Sequence, residues 1–372
     1  MKIVIVGDGK VGFALAEQLS RENHDITVID SNLDNLKNLM DVLDVLVIHG
    51  NGASLAVQKE AGVDKADLLI AATSGDELNI LACLVAKKLG AGQTIARIRN
   101  PEYADQLITM KDELGLSMTV NPELAAATEM SRRLRFPSAL NIDFFAKGRI
   151  ELVEFRIPDG SVLDDMALMS IYTQFKIRVL ICAVQRGEEI FIPDGSFQLQ
   201  TGDHVTITSS PLEISLFFKA IGIYQQKIRS VFIIGGGRTS YYLAKQLCEM
   251  GMEVKILEAD PARCRTLSDM LPQAIVLNGR ANDRELLQSE NIEDTDALVA
   301  ASDSDEMNLL ISIFGNTKQI PKILTKVERT DILGMYGNIC AGTIVSPRQL
   351  IANDIIRFVR ALSNSTGSSV ET

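Results

Sequence analysis

Residues 1–30, MKIVIVGDGKVGFALAEQLSRENHDITVID, decide the fold. Ile3 to Val6 is a short apolar run, Gly7-Asp8-Gly9-Lys10-Val11-Gly12 a glycine-rich turn, Phe13 to Leu19 a helical pattern, and Ile26 to Asp30 a second run that ends on an acid. Strand, glycine turn, helix and terminal carboxylate together form the pattern of a dinucleotide-binding unit. Gly7 permits the tight turn, Gly9 leaves room where a pyrophosphate approaches, and Gly12 lets helix and strand pack closely. The N–H groups of Asp8 to Val11 then face phosphates at the positive end of the helix. Asp30, 23 residues after Gly7, would accept hydrogen bonds from ribose hydroxyls and repel a 2′-phosphate, which favours NAD over NADP. The competing reading is that the glycines only turn the chain and Asp30 caps the next helix. NAD, ATP and ADP share the adenosine end, so the pattern leaves the distal half of a ligand open.

Working outward, strands at Val45 to His49, Leu68 to Ala72 and Thr94 to Ile98 alternate with helices at Leu33 to Leu39, Ser54 to Ala61 and Glu77 to Leu89. Unbroken apolar strands separated by helices indicate a parallel sheet covered on both faces, the Rossmann pattern. The order returns from Ser230, where Val231 to Ile234 leads into Gly235-Gly236-Gly237-Arg238-Thr239-Ser240. Glu258 matches Asp30, the Ala300 to Asn308 stretch matches Ala71 to Asn79, and Val345-Ser346-Pro347 matches Val120-Asn121-Pro122, with the offset held at 225 to 229. Such a constant offset marks a duplication.

Between the copies the pattern changes. Glu123 to Leu134 has helical spacing and stops before Pro137. β-like segments follow at Ile150 to Ile157, Ile177 to Val184, Glu189 to Ile192 and His204 to Thr208, with helices expected at Ser161 to Tyr172 and Glu213 to Ala220. The predicted fold is thus α/β, two Rossmann-like doubly wound parallel-sheet domains separated by a small α+β domain. The expected boundaries are 1–120, a crossover helix at 121–140, the small domain at 141–225, the second Rossmann-like domain at 229–345, and a linking helix and tail at 346–372. The linking helix is Gln349 to Leu362, and the polar Ser363 to Ser369 stretch suits a flexible tail.

The chain has 372 residues, 46% hydrophobic and 23% charged, and a net charge of −11 spread along its length without a basic stripe, which disfavours nucleic acid as a partner. No apolar stretch approaches the ~20 residues that span a bilayer. The five cysteines Cys83, Cys182, Cys248, Cys264 and Cys340 lack metal-ligand spacing, and His24, His49 and His204 lie far apart, so no metal site or catalytic group is expected. Arg97 and Arg99 alternate near the end of the fifth strand, where they hold phosphates or a ribose, or else lie on a solvated strand end. Thr73 and Ser74 follow the fourth strand at the same edge; Ser74 with Glu77 also reads as a capping box. In the second copy Ser240 replaces the third glycine, and Lys326 and Glu328 stand in place of the arginines. Weaker or different nucleotide binding is expected there, or a copy kept for assembly.

The segments GDGKVGFALAEQL, ITVID, HGNGAS, AATSGDELN and IARIRNPEY, followed by a small α+β domain and a second GGGRTS half, resemble the TrkA family of Trk-system potassium uptake proteins, built from RCK (KTN) domains. The resemblance covers essentially the whole chain, in a form lacking the last C-terminal subdomain. It implies a cytoplasmic protein, peripheral at the inner face of the cell membrane, that docks on a Trk/Ktr-type potassium-translocating subunit. It implies that this regulatory subunit is no enzyme and gates its partner in response to NAD(H) and to ATP or ADP. By position it implies nucleotide contacts at Gly7, Asp8, Gly9, Lys10, Val11, Asp30, Thr73, Ser74 and Arg97, with Gly235, Gly236, Gly237, Arg238, Thr239 and Glu258 in the second half. Rossmann pairs joined by crossover helices fit a homo-oligomer. The alternatives are an NAD-dependent oxidoreductase with unrecognised catalytic residues and a purely structural scaffold.

Overall fold

A computed structural model describes residues 1–101, 103, 110–135, 141–145, 150–187, 189–222, 228–329 and 342–367, the side chains of 141–145, 150, 151, 211 and 364–367 excepted. The 1–30 reading is realised as β1 (Lys2–Val6), α1 (Lys10–Arg21) and β2 (Asp25–Asp30). The first unit continues as α2 (Leu33–Val42), β3 (Leu46–His49), α3 (Leu55–Glu60), β4 (Leu68–Ala71), α4 (Asp76–Leu89), β5 (Gln93–Arg97) and β6 (Met118–Val120). All strands pair in parallel in the order β3-β2-β1-β4-β5-β6. The order reverses direction between β1 and β4, the place where ligands of such sheets sit, outside the carboxyl ends of the strands. The sixth strand was not expected, because three residues are too few to show a period.

The helix α5 (Pro122–Arg135) leads to the middle unit, made of β7 (Asn141–Phe145), β8 (Ile150–Arg156), α6 (Leu168–Phe175), β9 (Leu180–Arg186), β10 (Glu189–Phe191), β11 (His204–Ser209) and α7 (Pro211–Ala220). Its antiparallel sheet runs β10-β9-β11-β8-β7 over a core in which the Phe155 ring meets those of Phe217 and Phe218 edge to face. The helix expected from Ser161 begins at Leu168 instead. Asp165 is left-handed at φ 58°, and Ala167 bridges to Gln198, so the chain is extended there and helix starts only after it. The following strand likewise starts at Leu180 rather than Ile177, after a left-handed Lys176 that ends α6.

The second copy repeats the first: β12 (Ser230–Ile234), α8 (Arg238–Glu249), β13 (Glu253–Glu258), α9 (Pro261–Met270), β14 (Ile275–Asn278), α10 (Arg284–Ser289), β15 (Ala297–Ala300), α11 (Asp305–Thr317), β16 (Lys322–Lys326), β17 (Thr343–Val345) and α12 (Pro347–Gly367), with strand order β14-β13-β12-β15-β16-β17. Ser363 to Gly367, expected as flexible tail, continue α12 as helix, while Cys340 and residues 368–372 lie outside the described residues.

The two Rossmann units exchange helices. Ala126, Ala127, Met130 and Leu134 of α5, which follows the first sheet, are buried in the core of the second with Tyr241, Leu243 and Leu247. Ile351, Ala352, Ile355, Ile356 and Val359 of α12, which follows the second sheet, are buried in the core of the first with Leu15, Leu19 and Ile26. Polar contacts fix the register of this exchange. Asn121 donates to the Tyr242 hydroxyl at 3.1 Å, that hydroxyl donates to the Arg99 carbonyl at 3.2 Å, and Arg360 reaches Glu22 at 2.6 Å. Truncating Met130 to alanine therefore removes contacts from the second unit, at a cost of about 2–5 kcal/mol. Pulse proteolysis in urea is expected to show the second unit, rather than the β1–β6 unit that precedes Met130, opening at lower denaturant.

Candidate functional site

The three glycines of the first turn have different neighbours. Gly7 is left-handed at φ 100°, and an added Cβ would lie 3.0 Å from the Thr73 backbone. At Gly12 an added Cβ would overlap the Gly7 carbonyl oxygen, so these two glycines are demanded by the fold itself. A Cβ at Gly9 would meet nothing within 4 Å, so the protein leaves the space before it open. Gly9 is also the N-cap of α1, with no side-chain cap. The first-turn N–H groups of Lys10, Val11 and Gly12 thus stay at the positive end of a helix uncapped by any side chain.

Asp30 holds this turn in place. One carboxylate oxygen accepts the Asp8 N–H at 2.6 Å and the other accepts the Asn32 N–H at 2.7 Å. Asn32, not Asp30, caps α2, by accepting from Asp34 N at 2.9 Å. Each Asp30 oxygen keeps a lone pair for a further donor. A cavity of about 540 Å3 opens before Gly7, Gly9 and Asp30 and is closed by Thr73, Ser74, Arg97 and Arg99. The structure thus brings six of the expected contact residues, with Arg99 beside them, to one space at the carboxyl edge of the sheet. Asp8 and Lys10 border the adjoining cavity between α1 and the start of α12, and Val11 is buried under the turn.

Side chains that sequence reading missed set this wall. Asn79, fully buried, accepts both the Thr73 N–H (2.8 Å) and the Thr73 hydroxyl (2.7 Å) and donates to the Arg97 carbonyl (2.9 Å), tying the β4 and β5 ends together. Asp76 accepts the Arg99 and Asn100 N–H groups at 2.8 and 2.7 Å. Gln58 donates to the Gly52 and Ala82 carbonyls and so fixes the Gly50-Asn51-Gly52 loop that lines the same cavity. The paired Asn79 and Asn308 in the repeated AATSGDELN and AASDSDEMN segments were the available signal. Ser74 does not cap α4: Gly75 occupies the N-cap, while the Ser74 carbonyl takes the Arg99 guanidinium. The serine sits one residue too early, and in the second copy Ser304, placed one residue later, does cap by accepting from Met307 N. Arg97 and Arg99 are half-buried rather than solvated, and burial lowers the pKa of the Arg97 guanidinium.

The second turn has the same frame with less room. Gly236 N donates to Glu258 Oε2 at 2.6 Å and Asp260 N to Oε1 at 2.8 Å, matching the Asp30 bonds. Ser302 and Asn308 repeat the Thr73 and Asn79 bonds, and Asn308 donates to the Lys326 carbonyl at 3.0 Å. Gly235, Gly236, Gly237 and Glu258 line a cavity of about 160 Å3, less than a third of the first. Arg263 donates to the Gly236 carbonyl at 2.8 Å, binding α9 to the turn. Arg238 opens α8, Thr239 and Ser240 are buried, and Lys326 lies 3.8 Å from an exposed Asp303. Burial raises the Glu328 carboxyl.

Asp8 is 8% exposed and its carboxyl is pushed up to about 6, first by burial and then by the Asp30 charge beside it. A carboxyl raised from 3.8 to about 6 destabilises the fold above pH 6, and the penalty fades as pH falls towards 4. Asp8→Asn is expected to raise the thermal midpoint at pH 7.5, by a gain on the order of 1–3 kcal/mol that vanishes near pH 4; scanning calorimetry over pH 4 to 8 checks it.

A TrkA-N domain model matches residues 3–122 and 231–347, and a TrkA-C domain model matches 152–222. The Trk system potassium uptake protein TrkA homolog of Archaeoglobus fulgidus is 34% identical over 372 residues, all of this chain and 84% of that one. Among solved structures, the GsuK channel bound to NAD superposes with TM-score 0.74 at 17% identity, over 99% of this chain and 65% of that one. GsuK bound to ADP does so with TM-score 0.60 at 15% identity, over 95% and 68%. At these identities the two structures attest the fold. With its two matched Rossmann units flanking the matched middle unit, the chain belongs to the TrkA family, as two TrkA-N domains around one TrkA-C domain.

Proposed function

We propose that the chain is a nucleotide-binding regulatory subunit that gates a membrane potassium-uptake partner of Trk/Ktr type, with NAD(H) as principal ligand of the first unit and ADP or ATP as competing ligands. The observation that carries this is the first turn, with its uncapped helix N-terminus, open space at Gly9, and an Asp30 carboxylate tied to the turn at the strand end, where an adenosine ribose would lie. The pyrophosphate would lie on the N–H groups of Lys10 to Gly12, the ribose hydroxyls on Asp30, and Arg97 would meet the distal half. The second unit, with its smaller cavity, binds more weakly or a smaller ligand.

Family membership supports the transport role, since the relatives bear the name of a potassium uptake protein and the superposing GsuK structures contain NAD or ADP. Nothing in those names points to an oxidoreductase. Among the described residues no helix is long and apolar enough to cross a membrane, which fits a subunit that acts through a membrane partner. Because each Rossmann core contains the other's helix, a ligand that prefers one relative orientation of the units shifts both, by no more than its differential affinity.

Reconstituting the full chain with a Trk/Ktr-type translocating subunit in potassium-loaded liposomes tests this. Flux is expected to change with the chain present and to differ between NADH, NAD, ATP and ADP. Flux indifferent to the chain and to all four nucleotides would overturn the reading. Gly9→Ala, whose methyl meets no protein atom, is expected to keep the thermal midpoint of the apo chain and weaken NAD binding at least tenfold by filling the pyrophosphate approach; titration calorimetry reads the loss.

A further inference from the structure

The two turns differ at the residue that follows their first glycine. The first has Asp8 where the second has Gly236, and in both the N–H at that position is held at 2.6 Å by the strand-end carboxylate, Asp30 or Glu258. A Cβ built on Gly236 would lie 2.7 Å from Glu258 Oε2 and from Leu267 Cδ1, so in the second turn the carboxylate and the leucine stand where a side chain would begin. Asp8 places a second carboxyl against Asp30, 8% exposed, and its Oδ1 is buried without a hydrogen-bond partner. An ionised carboxylate in that position lacks both water and a donor, which favours its neutral form.

The charged groups around it come from several elements. Asp30 faces it from β2, while Lys10, Glu17 and Arg21 of α1 line the adjoining cavity with Arg348 of α12 and Arg329 beyond β16. α2 contributes only the amides Asn35 and Asn38. Arg21 is held by Glu17, and Arg329 by Glu306 with Asp305 at 3.9 Å. Burial and the Asp30 charge dominate, holding the Asp8 carboxyl at about 6.

We infer that Asp8 makes nucleotide binding at the first turn proton-linked, its carboxyl taking up a proton as a pyrophosphate-bearing ligand enters, whereas Gly236 leaves the second turn without that link. The inference rests on the nucleotide reading of the first cradle. A pyrophosphate brings two fixed negative charges and displaces water from the turn, and both effects favour a neutral Asp8. Affinity then falls as pH rises above 6, by at most about tenfold per pH unit.

The test is calorimetric titration of NAD into the full chain at pH 6 to 8, in pairs of buffers that differ in ionisation enthalpy. NAD is the probe because its pyrophosphate diester keeps its charge across this range, unlike a terminal phosphate, whose second pKa is about 6. Wild-type chain is expected to take up about one proton at pH 7.5 and to lose affinity several-fold per unit above pH 6. Asp8→Asn and Asp8→Gly are expected to bind NAD with neither effect. NAD binding by the wild type without proton uptake, or with uptake unchanged in Asp8→Asn, would overturn the inference while leaving the nucleotide reading intact. Absence of NAD binding in wild type and both variants at every pH would overturn that reading and the inference with it.

Discussion

The reciprocal burial of α5 and α12 is the constraint on which the rest of the structure depends. Each sheet has a face that its own helices do not finish covering, and the missing apolar surface arrives on a helix that follows the other sheet. Ala126, Ala127 and Met130 are too small or too flexible to hold a unique crossing by size alone, so the Asn121–Tyr242–Arg99 hydrogen bonds fix the register. These bonds join the start of α5 to α8 and to the segment after β5, the segment that also carries Arg99 into the first cavity. Packing between the units and the wall of the cradle are therefore one piece of structure.

Within each unit the strand-end acid does two jobs. Asp30 and Glu258 bind the second N–H of their glycine turn and the second N–H after their own strand, so the turn is shaped before any ligand arrives. That is preorganisation, which lowers the entropy lost on binding. The copies diverge around this shared device. The first keeps a wide cavity with Arg97 and Arg99 on its wall and a second carboxyl at Asp8; the second has a narrower one, braced by Arg263 and bordered by Glu258, Ser302 and Asp303. Duplication followed by such drift yields two unequal halves in one chain. Cys83, buried with its thiol pushed up to about 12, is a packing residue in this scheme.

Both Rossmann units were legible because their strands are unbroken apolar runs and their glycine turns sit between strand and helix. Gly7, Gly12 and Asp30 could be assigned roles from spacing, and the structure gives the steric reason for the two glycines. Three kinds of feature were hidden. Three-residue strands such as Met118–Val120 carry no period, and single left-handed residues such as Asp165 and Lys176 end or delay elements without a proline or glycine to announce them. Long-range polar partners such as Asn79 with Thr73 and Arg97, or Asp8 with Asp30, depend on how strand ends meet in space. The helix exchange was invisible for the same reason, since an amphipathic helix does not state which sheet it covers.

The central claim is that the first turn is the principal nucleotide seat and the second an unequal copy. Amide hydrogen exchange of the full chain with and without saturating NAD tests this most directly. The account predicts slowed exchange at Asp8 to Gly12, around Asp30 and at Thr73 and Ser74, with a smaller effect at Gly235 to Ser240. Unchanged exchange at Asp8 to Gly12, or protection confined to the second turn or to the middle unit, would contradict it.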